Sequence, residues 1–103
     1  MLFQTTAAHI EEVLAESAEK TVLLDFYAPW CAPCRALAPL LDAFSDAHED
    51  QLSAYCVNID TDAALAERFA VTAVPTVIVL RGGESTARLE GEITQELLEK
   101  EML

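Results

Sequence analysis

The sequence has few basic residues, few cysteines and glycines, and no long apolar run. Six lysine and arginine residues stand against 18 aspartate and glutamate residues, so the net charge is −12. A surface of that sign repels phosphate groups, and we therefore expect neither nucleic acid nor an anionic membrane as a partner. No stretch approaches the ~18 apolar residues that a membrane-spanning helix needs.

The cysteine content also limits the class of protein. Three cysteines are too few, and odd in number, for a disulfide scaffold. The first residues lack a basic segment followed by a long apolar run, so we expect no signal peptide and a cytoplasmic protein. In a reducing compartment, a close cysteine pair is catalytic or metal-binding rather than structural. The 103 residues, 52% of them apolar, predict a single domain over residues 1–103.

Strand and helix patterns alternate along the chain. Predicted strands lie around Phe3 and over residues 21–27, 53–59, 76–80 and 86–89. Predicted helices cover residues 6–18 and 31–48. A third, short helix is capped by residues 60–62 and ends at Phe69, and a fourth begins with Thr94 as its cap. The order β-α-β-α-β-α-β-β-α predicts an α/β sandwich whose sheet is parallel in part and antiparallel at one edge.

The motif WCAPC at residues 30–34 carries the clearest chemistry. Cys31 and Cys34 are three residues apart at the start of a predicted helix, which places their Cβ atoms roughly 5–6 Å apart on one face. A modest shift reaches the ~4 Å that a disulfide needs, so the pair can open and close reversibly. The first helical turn favours an anion at Cys31, which predicts an exposed, nucleophilic thiolate with a lowered pKa. Cys34 lies one turn deeper and is expected to be less exposed.

Metal binding is the alternative for such a pair. Zinc needs four ligands, and the other candidates (Cys56, His9 and His48) form no second close pair, so we predict no metal site. An iron–sulfur cluster shared by two copies through Cys31 stays open as an alternative.

Asp25 is the one charge in a predicted strand of valine, leucine and phenylalanine. A carboxylate buried there is expected to have a raised pKa. That property suits a general base that helps to deprotonate Cys34, through a water molecule. The alternative is a structural acid whose oxygens are satisfied by backbone N–H groups.

Several segments, taken in their order along the chain, resemble the thioredoxin family, and the resemblance covers nearly the whole chain. Residues 22–35 look like the second strand and active-site motif of that family, residues 38–39 like its helix kink, and residues 57–60 like the end of its third strand. Residues 74–76 look like its cis-proline loop, and Gly82, Gly83 and Gly91 like its later glycines. The resemblance implies a thioredoxin fold: three α/β/α layers with a mixed five-stranded sheet flanked by four helices.

The resemblance also implies a function, that of a protein-disulfide reductase in electron transport and redox homeostasis. Cys31 would attack a target disulfide, and Cys34 would then attack Cys31 and release the reduced target. The expected partners are disulfide-containing proteins and a thioredoxin reductase. We expect a monomer. No cofactor is expected, because the Cys31–Cys34 disulfide carries the electrons. With Pro75 in the cis form, the residues expected to line the target groove are Trp30, Ala32, Pro33, Val74, Pro75 and Gly91.

The sequence departs from the family pattern at three informative positions. Ala32 stands where the family usually has glycine, and Glu92 stands at the groove rim where a small residue is common. Cys56 stands where many members have a lysine that faces the buried aspartate, and losing that cation is expected to raise the pKa of Asp25 further. Cys56 is expected to be either an inert buried thiol or a third redox thiol beneath Cys34.

Two other functions remain open at this level. The chain could be a dedicated oxidase or isomerase of the same fold, which its reduction potential would distinguish. It could also be a binding subunit without turnover, although the set of Cys31, Cys34, Asp25 and Pro75 argues against that function.

Overall fold

A computed structural model describes residues 1–102 of the chain. The strands are β1 (Leu2–Gln4), β2 (Thr21–Tyr27), β3 (Leu52–Asn58), β4 (Thr76–Arg81) and β5 (Glu84–Glu90). The helices are α1 (Ile10–Glu16), α2 (Ala32–Ala47), α3 (Ala63–Arg68) and α4 (Gln95–Met102). The predicted order of elements is confirmed. No helix within these residues combines the length and the apolar character needed to cross a bilayer.

The five strands form one mixed sheet in the order β1-β3-β2-β4-β5. The strands β1 and β2 run parallel to β3, whereas β4 runs antiparallel to both β2 and β5. The strand β2 is central and five of its seven residues are buried, because helices cover both faces of the sheet. Its nearly continuous apolar run reflects that double burial.

Two apolar cores lie on the two faces of the sheet. Alternate residues of β2 point to opposite faces, so Leu23 packs with Leu41 of α2 and Leu98 of α4. Leu24 packs on the other face with Val13 of α1 and Leu65 of α3. The expected three-layer α/β/α architecture of the thioredoxin fold is therefore confirmed.

The predicted start of the first helix is wrong by four residues. The helix α1 begins at Ile10, not at residue 6, because the preceding segment makes tertiary contacts instead of helical ones. The Thr5 amide donates to the Cys56 carbonyl (2.9 Å), and the Ala7 amide donates to Asp62 Oδ2 (2.9 Å). Asp62 is the N-cap of α3 as predicted, but its side chain does not cap that helix.

The last helix begins as predicted. Thr94 Oγ1 accepts a hydrogen bond from the Leu97 amide (3.2 Å), which caps the first turn of α4. Leu98 is fully buried, and Ile93 packs against the same core. Between β4 and β5, Gly82 and Gly83 both have positive φ, which the tight turn there requires.

Candidate active site

The two active-site cysteines lie at the junction of β2 and α2. Cys31 is the N-cap of α2 with extended backbone, and Pro33 sits in the first turn, where its missing N–H costs nothing. Cys31 and Cys34 form a small buried cluster with Ala28. The Arg35 guanidinium donates to the Pro29 carbonyl (2.8 Å) and so ties the helix start to the preceding loop.

Cys31 and Cys34 are joined by a disulfide with a Cα–Cα distance of 5.3 Å, within the usual range for such a bridge. The Cys34 amide donates to Cys31 Sγ (3.2 Å). The same N–H is therefore placed to stabilise negative charge on the Cys31 sulfur after reduction. The spacing argument from the sequence is confirmed by this geometry.

The expected exposure of Cys31 is wrong. Cys31 is 5% exposed and Cys34 is 2% exposed, so both are buried even though their order is as predicted. Val74, in the loop before β4, packs against this cluster, and Cys31 Sγ lies 3.8 Å from the Val74 carbonyl oxygen. The Val74–Pro75 peptide bond in this loop is cis, as the resemblance implied.

A groove of about 210 Å³ runs beside the cysteine pair. It brings together Pro33, Pro75 and Gly91, three of the six residues predicted to contact targets, with Glu92 and Ile93 beside them. The other three lie outside its lining: Trp30 and Ala32 are exposed and Val74 is half-buried.

Trp30 is 68% exposed, which is unusual for a large aromatic side chain. Its indole Nε1 lies 3.4 Å from Asp60 Oδ1. Asp60 was not among the residues predicted for the site. The pairing of β2 with β3 contains the clue, because residues that follow the carboxyl ends of two parallel strands meet at one edge of the sheet.

Asp25 lies under the disulfide in the middle of β2 and is 1% exposed. Its Oδ1 has no hydrogen-bond partner among residues 1–102, so the alternative of an acid satisfied by backbone N–H groups is not supported. Burial raises the pKa of Asp25 to about 7, which confirms the direction predicted from the strand.

Cys56 lies beside Asp25, because the two residues are paired in register on the parallel strands β3 and β2. It is a free cysteine and only half-buried, so the buried environment expected for an inert thiol is wrong. Burial first, and then the charge of Asp25, raise the pKa of Cys56 to about 11. Burial likewise raises the pKa of the neighbouring Tyr27, whose hydroxyl accepts a hydrogen bond from Gln4 Nε2 (2.8 Å).

A second pocket, of about 380 Å³, opens on this side of the sheet, and we call it the Asp25 pocket. It touches Asp25, Cys34 and Cys56, and its other lining residues are Leu2, Tyr27, Pro29, Arg35 and Ala38. Cys31 does not line it. Within the described part of the chain, no group of three or more histidine, cysteine, aspartate or glutamate side chains is arranged to hold a metal ion.

A reversible cysteine pair at the start of a helix, with a cis-proline loop beside it and a buried acid beneath it, defines a thiol–disulfide oxidoreductase. The family model described as Thioredoxin matches residues 1–103. The chain belongs to the thioredoxin family, and its activity is dithiol–disulfide exchange through Cys31 and Cys34.

Individual relatives agree with this assignment. The chain is 37% identical over 84 residues to a thioredoxin of Alicyclobacillus acidocaldarius subsp. acidocaldarius, covering 82% of this chain and 80% of that one. It is 36% identical over 92 residues to a thioredoxin of Bacillus subtilis (strain 168), covering 85% and 88%. The crystal structure of thioredoxin NaTrxh from Nicotiana alata superposes with a TM-score of 0.86 at 26% identity, covering 96% of this chain and 88% of that one.

Proposed function

We propose that the protein is a general reductant of disulfides in other proteins, and that a thioredoxin reductase restores its dithiol form. The observation that carries the proposal is the hydrogen bond from the Cys34 amide to Cys31 Sγ, because it singles out one sulfur for the charged state. The proposed electron donor is supported by a relative. A protein of Mycobacterium leprae (strain TN) described as a bifunctional thioredoxin reductase/thioredoxin is 37% identical over 87 residues, covering 84% of this chain and 19% of that protein.

In the proposed cycle, the Cys31 thiolate attacks one sulfur of the target disulfide and the other target sulfur leaves as a thiolate. Cys34 then attacks Cys31, which releases the second target sulfur and forms the Cys31–Cys34 disulfide. Two electrons pass from the protein to the target. Asp25 accepts the proton of Cys34 through water in the Asp25 pocket, and a pKa of about 7 lets it do so near neutral pH.

The proposed target site is the groove on the opposite side of the pair. An extended target segment would pair with the Val74 backbone and lie against Pro33, Pro75 and Gly91, with Trp30 and Ala32 at the exposed end. The two sulfurs hold the exchanged electrons, so the cycle needs no bound cofactor. We place this monomeric reductant in the cytoplasm, where protein thiols are kept reduced.

The first experiment is insulin reduction coupled to NADPH and a thioredoxin reductase. We expect turnover by the wild type, and a loss of at least about 100-fold in the Cys31→Ser variant because the nucleophile is gone. Cys34→Ser is expected to accumulate a mixed disulfide with insulin. Cys56→Ser serves as the matched control for removing a thiol, and it is expected to stay within about twofold of the wild type.

The same preparation gives the reduction potential of the Cys31–Cys34 couple. A reductant is expected to have a potential more negative than about −230 mV, whereas a dedicated oxidase would lie well above that value. Equal turnover by wild type and Cys31→Ser, or an oxidising potential, would contradict the proposed function.

A further inference from the structure

We propose that Cys56 is a covalent modification site for uncharged α,β-unsaturated carbonyl compounds, and that an adduct in the Asp25 pocket slows the resolving step at Cys34. The first half concerns only the pocket and the thiol. The second half rests on the proposed function, since it takes Cys34 to be the resolving cysteine.

Cys56 is reachable and chemically distinct from the redox pair, and because its pKa is raised to about 11 it reacts through the small thiolate fraction present at neutral pH. It is half-buried and free, whereas Cys31 and Cys34 are joined by a disulfide. It projects from β3 to the same face as Ala54 in the α2-side core, because alternate strand residues share a face. That face is where the Asp25 pocket opens, so the thiol borders a space rather than a packed core.

Asp25 is an independent indication that this pocket takes a ligand. Its carboxyl group is 1% exposed, it lines the same pocket, and its Oδ1 has no hydrogen-bond partner among residues 1–102. A buried polar atom without a protein partner must pair with whatever fills the pocket, which is either water or a ligand that displaces the water and replaces its hydrogen bond. Because burial holds the pKa of Asp25 at about 7, the carboxyl is partly protonated at neutral pH and can donate to a carbonyl oxygen.

The lining selects the class of electrophile. Leu2, Pro29 and Ala38 make much of the wall apolar, and the net charge of −12 repels anions. A volume of about 380 Å³ falls at the lower end of the range for small-molecule pockets. An uncharged compound with one carbonyl oxygen and an apolar body fits these properties. The lining contains one cation, Arg35, but its guanidinium already donates to the Pro29 carbonyl (2.8 Å), so Asp25 and the net charge disfavour a carboxylate-bearing reagent.

The addition needs no oxidant or reductant. The Cys56 sulfur forms a bond to the β-carbon while the carbon–carbon π bond breaks and its electron pair moves to the α-carbon. The thiol proton passes to solvent water, the α-carbon receives a proton from Asp25 or water, and Asp25 is then reprotonated by solvent. A hydrogen bond from protonated Asp25 to the carbonyl oxygen lowers the barrier by stabilising the developing negative charge.

The position of the adduct determines which step it slows. The Asp25 pocket touches Cys34 but not Cys31, and the Cys31 sulfur lies against Val74 of the cis-proline loop. An adduct would displace water between Asp25 and Cys34 without covering the target groove. The first attack on a target would therefore continue, and the mixed disulfide would persist.

The test uses N-ethylmaleimide on the full-length oxidised protein, in which the Cys31–Cys34 disulfide protects the redox pair. Peptide mass spectrometry is expected to find one adduct, at Cys56, and none in Cys56→Ser. A maleimide that carries an N-carboxymethyl group is the matched anionic probe. After each rate is normalised to that reagent's reaction with 2-mercaptoethanol, we expect the neutral probe to react at least about tenfold faster.

The adduct is then reduced with dithiothreitol, freed of reductant and mixed with insulin in a single turnover that is quenched with acid. We expect the mixed disulfide to form within about twofold of the unmodified rate and to decay at least about tenfold more slowly. When Cys56→Ser is carried through the same treatment, its mixed disulfide with insulin is expected to decay at the rate of the unmodified protein.

Each other result decides against a stated part of the proposal. The absence of an adduct, an equal normalised rate for the anionic probe, or an adduct whose far-UV circular dichroism shows unfolding would overturn the modification site. If the adduct forms but the mixed disulfide decays at the unmodified rate, the proposed effect on the resolving step at Cys34 is wrong. If unmodified protein forms no mixed disulfide at all, the proposed function fails instead, and the labelling results still decide the site.

Discussion

Asp25 places an ionisable group where the surrounding side chains favour its neutral form. Its neighbours in β2 are fully buried leucine and phenylalanine, and its Oδ1 has no partner among the described residues. Folding raises the pKa of this carboxyl from 3.8 to about 7, so the folded state binds more protons than the unfolded state between these values. The ionisation of Asp25 therefore destabilises the folded state as the pH rises. Between about pH 4 and pH 7 it lowers the free energy of unfolding by up to about 4 kcal/mol.

The Asp25→Asn variant tests this cost. We expect it to be more stable than the wild type by about 2–4 kcal/mol at pH 8, and to differ by less than about 1 kcal/mol at pH 4, where the wild-type carboxyl is protonated. Urea unfolding of the oxidised proteins at both pH values measures the difference. Asp50→Asn, at an exposed position, is the control and should show no such dependence on pH. The same stability difference for Asp25→Asn at both pH values would show that the carboxylate is not penalised.

At the scale of elements, the end of α3 contains a backbone conformation that alanine disfavours. Ala70 has φ 55°, in the left-handed region, directly after the last turn of the helix. The Val71 amide donates to the Ala66 carbonyl (2.8 Å), and the Arg88 guanidinium bonds to the Phe69 and Ala70 carbonyls. These bonds fix the turn, and glycine at this position would adopt it without the steric cost of a Cβ atom.

We therefore expect Ala70→Gly to raise the free energy of unfolding by about 0.5–1 kcal/mol. The matched control is Ala43→Gly, at an exposed position inside α2, where glycine should lower stability by about the same amount. Urea denaturation of the three proteins gives both differences. A loss of stability in both variants would mean that the turn does not favour glycine.

Elements determined by local pattern were predicted well from the sequence, and those determined by distant contacts were not. The bounds of β2 follow from its continuous apolar run, and α2 starts after Cys31 because that residue caps the helix. The start of α1 was missed because Ala7 bonds to Asp62, which is 55 positions away. For the same reason the burial of Cys31 was missed, since Val74 reaches it from a distant loop.

At the scale of the whole molecule, the net charge of −12 acts across the entire fold. The molecule measures 31 × 27 × 20 Å, so at low salt, where the Debye length is about 30 Å, every carboxylate interacts with the others. At 0.15 M ionic strength the Debye length falls to about 8 Å, which removes most of that repulsion. Because the charges lie further apart in the unfolded chain, repulsion at low salt destabilises the folded state relative to the unfolded state.

We therefore expect the melting temperature at pH 7 to rise by several degrees between 10 and 200 mM NaCl, as measured by circular dichroism on the oxidised protein. A triple variant separates screening from other effects of salt. Glu19→Lys, Asp50→Lys and Glu84→Lys lie at exposed positions, and together they halve the net charge. Its salt response should be roughly a quarter of that of the wild type, because repulsion scales with the square of the net charge. An equal rise in both proteins would assign the effect to the solvent instead of to the charge, and no rise in either would mean that the repulsion is too weak to affect the fold.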